Sequence, residues 1–290
     1  MFAACLRKKS SSDKLKRDQM SITPIIKYAN KSFTLPDTCV RLRQVLDDPR
    51  SGSQEMAQVM SVDPSLCAKV LRLANSALFR FPSQVTSISK ALSIIGGEAA
   101  YNISMAETAN LAFKSFTSDH IDFSEFWERS VFTGIIARSI AQQMQLRGSE
   151  RFFVMGILMN LSELVCATKL ESKYINYLKD KTLPLEAQRK HFGFTFSNCS
   201  GLIIENWRLP ENLYNSMIQL SLYDNQQLQK EESILYLAAT MADQKLGKDI
   251  LQVADFNLQA ADSVGLNDYE YDIIIEFAQA ETSKIAKALN

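Results

Sequence analysis

Apolar residues recur along this chain at intervals of three and four, the spacing that gathers them on one face of an α-helix. Between Leu35 and Asp48, the residues Cys39, Val40, Leu42, Val45 and Leu46 share such a face, and Pro49 ends it. SQEMAQVMSV, residues 53–62, reads as a second short helix. Asp63 then stands as an N-cap, with Pro64 at the first helical position, where its missing N–H costs nothing. Leu66, Val70, Leu71 and Leu73 give that helix its apolar face. Ser87 caps the next helix and Gly96 stops it.

Past Gly97 the pattern lengthens. EAAYNISMAETANLAFKSF (98–116) predicts one long helix, and DFSEFWERSVFTGIIARSIAQQM (122–144) another, with Asp122 and Glu125 placed as a capping box. A buried helix is expected from Arg151 to about Leu170, a further one begins on Pro210, and EESILYLAATMADQKLG and DYEYDIIIEFAQAETSKIAKAL close the chain. Sustained two-residue alternation, internal repeats and low-complexity linkers are absent from the sequence. The expected architecture is all-α with short connections.

Composition agrees. Seven prolines and ten glycines in 290 residues leave long stretches uninterrupted, and 46% hydrophobic with 22% charged residues suits a soluble globular chain with a sizeable core. The net charge is zero, so its total points to neither nucleic acid nor a membrane surface. Charge is uneven, however. Residues 1–20 form a basic arm carrying Arg7, Lys8, Lys9, Lys14, Lys16 and Arg17. Five cysteines without CxxC spacing indicate free thiols and a reducing compartment. No signal-peptide core is present, and the expected location is cytoplasmic.

Candidate chemistry is sparse. There are two histidines, His120 in a polar turn and His191 between basic and aromatic neighbours, both read as surface or loop residues. Walker and dinucleotide glycine spacings are missing, and no nucleophile elbow surrounds any serine. The anomaly lies in GILMNLSELVC, where Asn160 and Glu163 interrupt the most apolar part of the chain. Asn160 is expected to be buried and hydrogen-bonded. Glu163 is expected either at the helix edge or paired with a cation such as Arg129.

The ordered motifs Leu35–Pro36, Asp48–Pro49, Asp63–Pro64, Asn75–Ser76–Ala77, Ser87–Ile88 and Ile95–Gly96 resemble the HD-related output domain, HDOD, and looser similarity continues to about Leu222. That family is related to helical HD phosphohydrolases, whose metal is held by histidines and aspartate. The resemblance therefore implies where metal ligands would stand in this chain. Arg129 takes the place of the first histidine, Met159 and Asn160 that of the His–Asp pair, Phe196 that of a later histidine, and Leu220 and Ser221 that of a closing pair.

On this resemblance, 21–222 forms the HDOD domain. Its N-terminal helical part runs to about 107 and is packed on an HD-like part from about 108, and residues 223–290 add helices packed on the latter. The implied function is that of a stand-alone, non-catalytic bacterial signalling output that binds a protein partner and needs no cofactor. A nucleotide second-messenger sensor, with Arg129 contacting phosphate in the former catalytic cleft, is the alternative, and a metal-dependent phosphohydrolase is a third. Asn75, Ser76 and Ser87 either fix helix ends or line a recognition groove. Phe79, Phe81 and Pro82 are the candidate partner contact, on a connecting loop.

Overall fold

Local capping decides where several of the helices begin. The computed structural model describes residues 21–79, 84–182, 184–220, 228–245 and 260–290. Phe81, Pro82, Ser221 and the basic arm lie outside the described residues. A first helix, α1, covers 21–32, and α2 runs Asp37–Asp47. In α3, Ser53–Ser61, the Glu55 carboxylate accepts the Gly52 N–H at 2.8 Å. α4, Pro64–Ala74, starts on Asp63, whose side chain accepts the Leu66 N–H at 3.0 Å, and α5, Ile88–Lys114, starts on Ser87 in the same way. Gly96 breaks α5 with φ 82° and ψ 164°, a backbone region that strongly favours glycine. The helix then continues without interruption through position 107.

α6, Phe123–Gln143, is capped by Asp122. The apolar stretch expected as one helix is two, α7, Glu150–Leu158, and α8, Leu161–Lys169. Three short helices that the hydrophobic spacing did not reveal come next: α9, Glu171–Leu178, α10, Pro184–Phe192, and α11, Phe196–Asn206. A 3-10 turn, Glu211–Leu213, interrupts the helix expected from Pro210 and leaves α12 as Asn215–Gln219. α13 is Lys230–Lys245, α14 covers 260–264, and α15, Asp268–Leu289, begins with a capping box between Asn267 and Glu270. No strand occurs among the described residues.

One continuous hydrophobic core runs from Ile22 on α1 to Leu289 on α15, and includes the α4 face of Leu66, Val70 and Leu73. Ile95 packs on it partly buried. α5 carries the N-terminal helices and leans on α7, while α6 takes α7 on one side and α13 and α15 on others. The segment Glu150–Lys169 is long and apolar enough to cross a membrane, but 83% of its most apolar window is buried inside the fold. At the α6–α7 crossing two backbones nearly touch. A Cβ added at Gly156 would lie 2.7 Å from the Gly134 Cα, and one at Gly134 would lie 2.6 Å from the Phe153 carbonyl oxygen.

Asn110, on the C-terminal half of α5, is fully buried with neither amide atom hydrogen-bonded. An orphaned buried amide costs about 1–3 kcal/mol. Asn110→Leu, which keeps the branching of the side chain, is expected to raise unfolding stability by about 1–2 kcal/mol in urea titration. A loss of stability would mean that the amide has a bound partner in solution.

Candidate functional site

Asp122 sets the register of α6 by accepting the Glu125 N–H at 2.9 Å. Phe126, Arg129 and Phe132 then follow at spacings of three, and share one side of the helix. Across from them, α8 opens at Asn160 and brings Glu163 into its first turn, only 5% exposed. The Arg129 guanidinium donates to the Glu163 carboxylate, which also accepts the Tyr174 hydroxyl of α9 at 2.9 Å. Asp243 of α13 stands 3.6 Å from the other arm of the guanidinium, and the ring of Phe126 lies under it at 5.0 Å. Burial opposes the charge on Arg129. Glu163 and Asp243 outweigh that cost and raise the guanidinium above its usual value. The Tyr174 and Tyr177 phenols are pushed well above the ordinary range, by burial first and by Glu163 second.

The other positions that the family resemblance marked are, where described, buried or half-buried. Met159 is buried at the end of α7. Asn160 departs from expectation: it is half-buried and its side chain makes no hydrogen bond among the described residues. Its φ of −104° and ψ of 8° explain why, because it forms the corner between α7 and α8 instead of a helical turn. Phe196, 1% exposed, opens α11 and stacks with Tyr177 and Phe192, each with ring centroids 5.3 Å away. Its amide donates to Gln188 and its carbonyl accepts from Ser162, both at 2.8 Å, so it staples α11 to α10 and α8. Leu220 is buried, and Ser221 lies outside the described residues. Among the described residues no group of three His, Cys, Asp or Glu side chains could hold a metal ion.

The two histidines are elsewhere. His120 meets Glu171 at 3.0 Å beside the N-terminus of α6. His191 lies in the last turn of α10, not in a loop, and meets Asp180 at 2.7 Å. Asp180 also accepts from Lys190 and Thr182, and these bonds together hold its carboxyl well below the usual range.

The motif residues near the N-terminus have structural partners. The Asn75 amide donates to the carbonyls of Leu71 and Val85, and its oxygen accepts the Val85 N–H, all at 2.8 Å. That closes the connection between α4 and α5 like a clasp. Ser76 donates to Leu73 at 2.6 Å, and Ser87 caps α5. Phe79 is half-buried under the guanidinium of Arg138, 4.5 Å from its centroid. Arg138, buried on α6, also donates to the Leu78 carbonyl and so ties the motif loop to α6.

Sequence reasoning missed Arg138, Tyr174 and Asp243. Arg138 and Asp243 had a usable signal, each being a lone charge in an apolar run, IIARSIA and AATMADQ.

Above the ion pair opens a cleft of about 820 Å³. Ile121, Phe126, Phe132 and Leu178 give it apolar walls, and Gln279 and Thr282 of α15 close one side. The C-terminal helix is thus part of the cleft.

The same fold occurs in a protein from Shewanella amazonensis SB2B provisionally called a phosphohydrolase, with TM-score 0.69 and 19% identity over 92% of this chain and 98% of the other. An HDOD domain protein of unknown function from Geobacter sulfurreducens matches over the same shares, with TM-score 0.62 and 19% identity. A Marinobacter aquaeolei VT8 protein provisionally called a signal transduction protein has TM-score 0.64 and 16% identity over 94% of this chain and 65% of its own length. Such identities establish shared fold. No curated protein matches the sequence. The family pattern of the HDOD domain matches residues 33–221, well over half of the chain, and the protein therefore belongs to the HDOD family.

Proposed function

We propose that this HDOD protein is a non-catalytic signal-transduction output that acts by binding a partner protein. The observation that carries the reading is the state of Arg129. A guanidinium is a permanent cation with donors only, so it cannot ligate a metal and repels one. Here it stands where the resemblance would put the first metal ligand, and Glu163 and Asp243, the nearest carboxylates, are engaged with it. A thioether at Met159, an amide at Asn160 and a phenyl ring at Phe196 complete a donor set unsuited to hydrolytic metal chemistry. The residues present do not fit a metal centre.

The nucleotide alternative has less support, because the guanidinium that would grip a phosphate already shares its charge with two carboxylates. The module is taken to span 21–222, with 223–290 folded onto it. That division is consistent with α13 and α15 packing along α6.

Elemental analysis of the purified full chain tests the reading. Iron, manganese and zinc are each expected far below one per chain, with no hydrolysis of phosphodiester substrates. About one such metal per chain, with phosphodiesterase activity lost on chelation, would overturn it.

A further inference from the structure

We infer that the cleft above the Arg129–Glu163 pair is where the partner docks, and that it takes a basic peptide segment carrying arginine or lysine beside an apolar residue. This inference rests on the adaptor reading and names the chemistry of the partner.

Four carboxylates line the cleft, those of Asp122, Glu125, Glu128 and Glu163, against one guanidinium, Arg129. That guanidinium is neutralised inside the protein by Glu163 and Asp243, so it offers little to an incoming anion. Glu125 and Glu128 are exposed and form no hydrogen bond or ion pair through their side chains among the described residues. Their uncompensated charge at the mouth of a low-dielectric cleft concentrates the field and attracts cations. Among the described residues a free metal ion would find no enclosing ligand set, because Asp122, Glu125 and Glu128 are spread along the start of α6 and Glu163 is engaged with Arg129. The walls are apolar, and Leu178 on the rim is 53% exposed, a large side chain left to be covered. Phe126 and Phe132 belong to these walls, and Arg129 already covers the Phe126 ring, 5.0 Å from its centroid. A volume of about 820 Å³ admits one or two side chains of a peptide. Charge complementarity at the rim and apolar contact at the wall together specify a basic, partly hydrophobic segment.

The test is calorimetric titration of the full chain at low salt with a nonapeptide bearing two arginines, two lysines and two leucines. Its glutamate-substituted counterpart and spermidine serve as comparisons. The basic peptide is expected to bind, to weaken as salt is raised, and to lose at least tenfold in affinity in the double variant Glu125→Lys, Glu128→Lys. Both positions are exposed, so this variant is expected to fold, with a small fall in melting temperature from lysines in the first turns of α6. Glu211→Lys, outside the cleft, should leave binding unchanged. Equal binding by parent and double variant, or no binding at low salt, would overturn the inference. So would spermidine binding as tightly as the peptide, since that marks a small-cation site. A partner of other chemistry bound elsewhere would defeat the docking inference and leave the adaptor reading standing. Metal-dependent hydrolysis would defeat the adaptor reading itself.

Discussion

Arg129→Met is expected to lower unfolding stability by about 3–5 kcal/mol, because it removes the guanidinium from the buried carboxylate it is paired with. Arg129 and Glu163 are 11% and 7% exposed through their side chains, so water reaches neither freely. Glu163 would keep its bond from Tyr174, but a neutral phenol does not replace a guanidinium. Asp243, at 23% side-chain exposure, can turn toward solvent and adds less. The double variant Arg129→Met, Glu163→Leu should recover most of the loss, since an apolar pair of similar volume is often as stable as a buried ion pair. Chemical denaturation of the parent, both single variants and the double variant gives the coupling directly. A single-variant loss below about 1 kcal/mol would mean that the pair is solvated in solution.

Gly156→Ala is the second large effect. A methyl group at this position meets the Gly134 Cα at 2.7 Å, the Gly134 nitrogen at 2.8 Å and the Thr133 carbonyl at 2.9 Å, all of them backbone. No rotamer change can relieve contacts of that kind, so α6 and α7 must separate. The expected loss is about 3 kcal/mol, the upper part of the usual range for overpacking, set against a small gain in helix propensity. Gly97→Ala is the natural comparison. Its new methyl would meet only the flexible ends of Leu46 at 3.3 Å and Met56 at 3.7 Å. If thermal melting shows the two variants equally stable, the close crossing does not exist in solution.

Features governed by near neighbours along the chain are legible in the amino-acid sequence alone. The caps at Asp63, Ser87 and Asp122 each act within three residues, and Gly96 announces its own backbone freedom. The pairing of Glu163 with Arg129 is also within reach, because a carboxylate in an apolar helix must find a cation. The break at Met159–Asn160 is not legible, since the residues on both sides are equally apolar and only the packing of α8 against α11 demands a corner. Helices α9, α10 and α11 owe their placement to a ring cluster of Tyr174, Tyr177, Phe192, Phe194 and Phe196, whose members are scattered over 23 positions of sequence. Asp243 reaches Arg129 across 114 positions, a distance no local pattern encodes. Arg138 tightens the motif loop from a separate helix, so its lone charge can be seen in the sequence while the loop it anchors cannot.

The buried ion pair also bears on the reversibility of this site over evolutionary time. On the proposed reading, a histidine at position 129 would replace the permanent cation while Glu163 and Asp243 remained, and the chain would pass through a form with a weakened buried ion pair. Replacing Glu163 first would leave the guanidinium with the longer contact to Asp243 in place of its close partner. Each single step toward a metal site is therefore uphill in stability for a domain whose total reserve is about 5–15 kcal/mol. On the proposed reading the arrangement acts as a ratchet: once the guanidinium and its carboxylates had closed over the old site, drift could reshape the cleft around them more easily than it could reopen the chemistry.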